Sequence, residues 1–231
     1  MSIVSEIFSK VERESRKSLL EPEAKTVCMA YGIPTTKFKV AINDREAVKF
    51  AEKIGYPVVL KIVSPDIIHK SDVGGVIINI KDAKDVQSAY KQIMDNVKKH
   101  KPDAKIVGML VQEMASQSTE VIVGATKDPQ FGPTLMFGLG GIFVEILKDV
   151  TFRIAPVIED EAREMIKEVK AYPVLKGYRN MPPADIEAIV RILLNTSRLV
   201  MEHQEIKELD LNPIMVYEKG AKTVDARIIL E

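Results

Sequence analysis

The chain has 231 residues, 46% apolar and 29% charged, and its 33 basic residues are balanced by 33 acidic ones. That length suits one domain built from two lobes with a sizeable core, and zero net charge gives no general attraction to nucleic acid or to an anionic membrane. The single cysteine, Cys28, excludes an intrachain disulfide and a zinc site built on paired cysteines.

The opening, MSIVSEIFSKVERESRK, mixes charges into its apolar residues. It reads as an N-terminal helix over residues 1–20, not as a signal peptide or a membrane span, so a cytoplasmic protein is expected. EPEAKTVCMAYG follows as a helix with Pro22 in its first turn and Gly32 just past its end. TTKFKVAI is a strand, and NDREAVKFAEKIG is a helix capped by Asn43, with Glu46 three residues on and Gly55 as its stop. YPVVLKIV and VGGVIINI are strands joined by the loop that carries His69. DAKDVQSAYKQIMDNVKKH sets Val86, Ala89, Tyr90, Ile93, Met94 and Val97 at helical spacing. KIVGMLVQEM and TEVIVGATK are strands with the short connection ASQS between them.

In the second half, FGPTLMFGLGGIFVEILKDVTFRIAPVI reads as successive short strands with glycine turns. EDEAREMIKEVKAY is a helix ended by Pro173. ADIEAIVRILLNTSRLVMEH is expected to be the longest helix, burying Ile186, Ile189, Val190, Leu193, Leu194, Val200 and Met201. EIKELDLNPIMVYEKGAKTVDARIIL reads as two strands around the turn EKGAK. Strands and helices alternate early and strands dominate late, which predicts an α+β or mixed α/β fold with a boundary near 112–118, not a simple doubly wound sheet.

Few residues stand out chemically. Lys61 lies inside an apolar strand, where a charge needs a partner; it either snorkels to solvent or points from a rigid strand at phosphate oxygens. Glu113 and Glu120 flank the crossing between the halves, as solvated strand ends or as contacts for a base and a ribose. Gly138, Gly140 and Gly141 lie between strands with no helix after them, so they read as tight turns and not as a dinucleotide fingerprint. Asp210 and Asn212 share one face of a strand, and Asp225 lies in its expected partner; carboxylate and amide oxygens of this kind suit magnesium, while a polar hairpin edge is the plainer reading. His100 and His203 end helices and read as solvated residues near a helix dipole. His69 sits between Ile67-Ile68 and Gly74-Gly75, either as ordinary surface or as part of a mobile loop handling phosphate.

The order of these segments adds more. YPVVLKIVSPDIIHKSDVGGV, then STEVIVGATKDPQFGPTLMFGLGGIFVEILKDVTFRIAP, then ELDLNP and VDARI resemble the ATP-grasp β subunit of nucleoside-diphosphate-forming acyl-CoA synthetases, a group that includes the archaeal ADP-forming acetyl-CoA synthetases. The resemblance runs from about residue 20 to the end. It implies an α+β, ATP-grasp fold of two lobes with nucleotide bound between them: the N-terminal helix (1–20), a first lobe (21–112) with the His69 loop, and a second lobe (113–231). It implies ATP or ADP and Mg2+ as cofactors. Lys61 would meet nucleotide phosphates, Glu113 and Met114 would lie along adenine, and Glu120 would hold the ribose hydroxyls. Asn212 and Asp225 would bind magnesium with Asp210 beside them, and Arg153 would steady the transferred phosphoryl group. His69 would carry phosphate from a CoA-binding α subunit to ADP, in an α2β2 assembly. A mobile glycine-rich loop suits such a carrier. A carboxylate–amine ligase acting through an acyl phosphate is the competing enzyme, in which His69 is incidental. A nucleotide-sensing module that transfers nothing is the competing binding protein.

Overall fold

The computed structural model describes residues 2–141, 144, 146–178 and 182–231. Ile142, Phe143 and Glu145 of the expected run of short strands lie outside the described residues. In chain order the elements are α1 (Ile3–Arg13), α2 (Glu21–Ala30), β1 (Phe38–Ala41), α3 (Asp44–Ile54), β2 (Val58–Val63), β3 (Val76–Ile80), α4 (Ala83–His100), β4 (Gly108–Glu113), β5 (Thr119–Asp128), β6 (Gly132–Leu139), β7 (Val150–Ile154), α5 (Glu159–Glu168), α6 (Tyr172–Leu175), α7 (Ile186–Glu202), β8 (Ile206–Val216), β9 (Ala221–Thr223) and β10 (Ala226–Leu230). They fall into two compact units. The larger comprises Met1–Leu19, Glu23–Thr35 and Ser116–Glu231, and the smaller Leu20–Pro22 and Thr36–Ala115.

The smaller unit is a four-stranded antiparallel sheet, β1-β4-β2-β3, with α3 and α4 on one face. The cap of α3 forms as its sequence dictates: the Asn43 side chain accepts from the Glu46 N–H at 2.9 Å. The Glu46 carboxylate turns back to the N–H of Ile42, at 3.0 Å. Ala47 and Ala51 from α3, and Val86, Ala89, Ile93 and Val97 from α4, pack on Val58, Leu60, Ile62 and Val111 of the sheet. Full burial of each Val, Leu or Ile among them is worth about 1.5–3 kcal/mol, in sum more than the caps contribute. Tyr90 and Met94 of the expected stripe are only partly buried, at the margin of this core. All of β2 is buried, so its other face is covered too; there Val63 and Leu110 pack with Leu20.

The larger unit is built on a six-stranded sheet of order β10-β8-β5-β6-β7, with β9 also paired to β8. Every strand pair in it is antiparallel. One face carries Val121, Val123, Leu135, Phe137, Leu209 and Ile228 into a core completed by α1, α5 and α7. Residues 23–35 join this unit, not the first lobe in which the resemblance places them. The reason is backbone pairing. The Leu19 N–H donates to the Ile228 carbonyl at 3.0 Å and the Leu230 N–H to that of Lys17 at 2.7 Å, while the Thr223 N–H donates to the Pro34 carbonyl at 2.9 Å. These bonds add the N-terminal segment to the edge made by β9 and β10, a pairing between chain ends that no local pattern reveals.

Several element readings change. The helix expected to run to Pro173 stops at Glu168, because the buried Asp149 carboxylate takes the N–H groups of Lys170 and Ala171 at 2.8 and 2.7 Å. Pro173 then sits in the first turn of α6, where its missing N–H costs nothing. α4, with 18 residues, is longer than α7, with 17. On α7 the buried face holds Ile189, Val190, Leu193 and Val200 but also Ile192 and Leu199, whereas Met201 is exposed. The C-terminal region makes three strands, since Val224 and Asp225 separate β9 from β10. Among the described residues, no helix is long and apolar enough to cross a membrane.

Candidate functional site

In the smaller unit the residues of interest surround Lys61. It sits in the middle of β2, opposite Leu110 of β4 and Val76 of β3, on the face away from α3 and α4. Its ammonium is almost fully buried and donates to Glu21 Oε1 at 2.6 Å. Glu21, the first residue of α2, has a side chain 2% exposed. Its second oxygen lies 3.1 Å from the Nζ of Lys70. Lys61 therefore does not snorkel. Its charge is held inside the protein by a carboxylate, as burial in low dielectric demands. Glu21 carries no local signal in the sequence that would join it to Lys61.

His69 stands next to Lys70 on the loop between β2 and β3. Ile67 is anchored in the core, Ile68 and His69 are exposed, and a single 3₁₀ turn, Ser71–Val73, follows. The glycines after it make close contacts. Gly74 has φ +62°, and a Cβ there would lie 2.6 Å from Asn96 Nδ2, whose amide donates to the Gly74 carbonyl. A Cβ on Gly75 would lie 2.7 Å from Ile62 Cγ2. The C-terminal end of the loop is thus docked on α4 and β2, and the exposed part is confined to the residues around His69.

Glu113 ends β4. Its carboxylate accepts the Lys37 N–H at 2.9 Å while its own N–H bonds the Lys37 carbonyl. Met114 follows with its side chain exposed and its N–H on the Pro57 carbonyl.

In the larger unit the sheet face away from the helices carries the polar set. Residues alternate along each strand, so with Val121, Val123, Leu209 and Leu211 in the core, Glu120, Asp210 and Asn212 point to the other side. The register settles a question left open by the sequence. The Asn212 N–H bonds the Asp225 carbonyl at 3.2 Å, so those two residues are cross-strand neighbours, while Asp210 faces Arg227. Arg227 also pairs with Glu208. Burial pushes the Asp210 carboxyl above its usual range, against the pull of Arg227. Gly140 lies against Glu120: its N–H bonds the Glu120 carbonyl at 2.8 Å. Among the described residues no three His, Cys, Asp or Glu side chains converge as a metal-ligand set. Asn212 and Asp225 amount to two adjacent oxygen donors, a set that fits magnesium only when phosphate and water fill the remaining positions.

The structure does not bring Arg153 to that face. It lies opposite the core residue Leu135, and its guanidinium bonds Glu168 at 2.5 Å with Glu164 at 3.8 Å, on the helix side of the sheet. Glu168 raises its pKa further. His203 also differs from its solvated reading: its ring packs edge-on against Phe8 and Tyr31, at 5.1 and 5.7 Å between centroids. His100 remains exposed at the end of α4, with Nδ1 2.9 Å from the Asn96 carbonyl.

The family model for the ATP-grasp domain matches residues 10–230. The acetate–CoA ligase [ADP-forming] I subunit beta of Pyrococcus furiosus is 56% identical over 225 residues, covering 97% of each chain. The acetate–CoA ligase [ADP-forming] I of Archaeoglobus fulgidus is 49% identical over 95% of this chain, which spans 34% of that longer protein. Among solved structures, the dinucleotide-forming acetyl-coenzyme A synthetase 1 of Candidatus Korarchaeum cryptofilum superposes in several states. With coenzyme A and Ca-AMPCP the TM-score is 0.96 at 54% identity, covering 98% of this chain and 99% of that one. With a phosphorylated phosphohistidine segment in its site I orientation it is 0.93 at 51% identity, covering 99% and 100%. With Mg-AMPPCP and the phosphohistidine segment pointing towards the nucleotide binding site it is 0.88 at 50% identity, again covering 99% and 100%. The chain belongs to the ATP-grasp family and, within it, to the β subunits of two-subunit ADP-forming acetate–CoA ligases.

Proposed function

We propose that this chain is the nucleotide-binding, phosphate-carrying half of an ADP-forming acyl-CoA synthetase that converts acyl-CoA, ADP and phosphate into acid, ATP and CoA. The observation that carries this reading is the exposed His69, adjacent to a lysine that shares one buried carboxylate with Lys61. The Korarchaeum relative, solved with its phosphohistidine segment in two orientations, supports a carrier role for such a residue.

The chemistry follows from the residue types. A neutral imidazole is a competent nucleophile toward phosphorus near pH 7. The His69 ring nitrogen forms the N–P bond as the bond to the partner's donor group breaks. An oxygen of the ADP β-phosphate then attacks phosphorus, the N–P bond breaks, and the imidazole leaves neutral. Such a transfer needs position and charge neutralisation more than covalent help from other groups. Lys61 supplies a fixed cation to phosphate oxygens. Glu120 accepts from ribose hydroxyls. Met114 gives an apolar surface to adenine, while Glu113 acts by holding the backbone at Lys37. Asn212 and Asp225 would hold magnesium, with Asp210 beside them; when bound, the ion neutralises charge on the phosphates. Arg153, paired to α5, serves the sheet's helical side better than it serves phosphoryl transfer. CoA binding falls to a partner α subunit in an α2β2 assembly, and the relatives in which this segment is about a third of one longer chain support a partner of that kind.

The test is ATP formation by this chain mixed with its CoA-binding partner, acetyl-CoA, ADP, phosphate and magnesium. His69→Ala is expected to reduce it to background and to abolish acid-labile labelling of the chain by phosphate. Undiminished ATP formation by that variant removes the carrier role, and no ATP from any acyl-CoA removes the assignment.

A further inference from the structure

Glu21 is a buried carboxylate for which the transfer chemistry above has no use. It lies at the first position of α2, with Oε1 2.6 Å from the Lys61 ammonium and Oε2 3.1 Å from that of Lys70. The side chains of Glu21, Lys61 and Lys70 are 2%, 8% and 18% exposed. A carboxylate so little hydrated holds its cations far more firmly than a surface pair does, because water does not compete for either partner. The two cations differ in what they belong to. Lys61 is fixed in the central strand β2, paired on both sides. Lys70 belongs to the loop, one residue from exposed His69, between the core-anchored Ile67 and the packed glycines Gly74 and Gly75.

We infer that Glu21 is a positioning residue that tethers the His69 segment, through Lys70, to the same carboxylate that holds Lys61. This rests on the reading of Lys61 as the phosphate-binding lysine. Two consequences follow. While Glu21 grips Lys70, the His69 segment is parked, and its release requires that ion pair to open. Glu21 also competes with nucleotide phosphate for Lys61, so the carboxylate sets nucleotide affinity below what Lys61 alone would give. Arrival of phosphate at Lys61 weakens the Glu21–Lys61 pair and changes the grip on Lys70, which couples the nucleotide to the carrier segment.

Amide hydrogen exchange over residues 66–74 and ADP binding in the presence of magnesium are measured on the full chain for wild type, Glu21→Gln, Lys70→Met and the double variant. Glu21→Gln keeps the shape and one acceptor oxygen but removes the charge. Each single variant is expected to speed exchange in the segment about tenfold, between the scales of a surface ion pair and of a buried one. The double variant adds little further, because both changes cut one link. Glu21→Gln is expected to tighten ADP binding about threefold or more, as removal of a like charge beside bound phosphate requires; Lys70→Met does not tighten it. Unchanged exchange in Lys70→Met, additive effects in the double variant, or weaker ADP binding by Glu21→Gln each overturns the tether. A wild-type chain that binds no ADP overturns instead the reading of Lys61, while the exchange arm still decides whether Glu21 holds the segment.

Discussion

A Cβ added to Gly140 would lie 2.9 Å from the Cβ of Glu120, closer than such atoms approach. The absence of a side chain at one position thus lets the backbone at Glu120 approach that at Gly140. Gly140→Ala is expected to cost about 1–3 kcal/mol by overpacking, read as a lower urea midpoint at unchanged slope. It should also weaken ADP binding if Glu120 meets the ribose; a midpoint equal to wild type would show that the two backbones separate freely. Lys61 illustrates what is legible at this scale. Its place in an apolar run left open whether it snorkels to solvent or meets phosphate, and only the structure supplied Glu21, forty positions earlier in the chain. Arg153 shows the opposite case: the family resemblance implied phosphate, and strand alternation together with the acidic side chains of α5 turned it to the helical side.

Elements here end and begin where side chains take up backbone groups, and α7 is the clearest case. Asp185 caps it through Oδ1 on the Ala188 N–H at 2.9 Å, and its Oδ2 accepts the Gly220 N–H at 2.7 Å from the turn between β8 and β9. The bond from Gly220 is the main reason its carboxyl is held below the usual range. A depressed carboxyl pKa contributes stability that is complete above the unfolded value of about 3.9 and is lost as pH falls through the folded value. Asp185→Asn keeps an acceptor for Ala188 but cannot receive both bonds. It is expected to lower stability at pH 7 by about 1 kcal/mol and to shrink the difference between pH 7 and pH 3 unfolding midpoints. An undiminished difference would place that pH dependence elsewhere. The cap of α3 at Asn43 was readable from sequence because both of its partners are local. The early end of α5 was not, because Asp149 reaches it from the segment before β7.

At the scale of the whole chain, ligand binding adds to stability in proportion to the excess of ligand over its dissociation constant. Mg-ADP at 100 times that constant is expected to stabilise by about 2.7 kcal/mol, raising Tm by about 5–10 °C for a chain of this size. Lys61→Met starts from a lower Tm, because Glu21 loses the cation 2.6 Å away, and is expected to lose most of the ADP-induced rise. A rise equal to that of wild type, measured from the variant's own baseline, would remove Lys61 from the nucleotide site. The division into units carries its own lesson. The halves of the sequence differ in pattern near residues 112–118, and the units divide at Ala115 and Ser116. α1, and α2 from Glu23 onward, however, belong with the C-terminal half, since residues 17–19 and 34–35 pair with β10 and β9.

The sequence by itself determined the alternation of strands and helices, the helix caps built from neighbours in the chain, and the family, because each is written in local periodicity or in ordered motifs. It also singled out Lys61, Glu120, Asn212, Asp225 and His69, the residues whose chemistry stands out from their surroundings. Tertiary structure alone decided that Asn212 and Asp225 are cross-strand neighbours, that Arg153 turns away from them, and that Gly74 and Gly75 lie against Asn96 and Ile62. It alone joined Lys61 and Lys70 to one carboxylate. Each of these depends on register or on contacts distant in sequence, and a side chain's neighbours across a sheet are fixed only when the strands have paired.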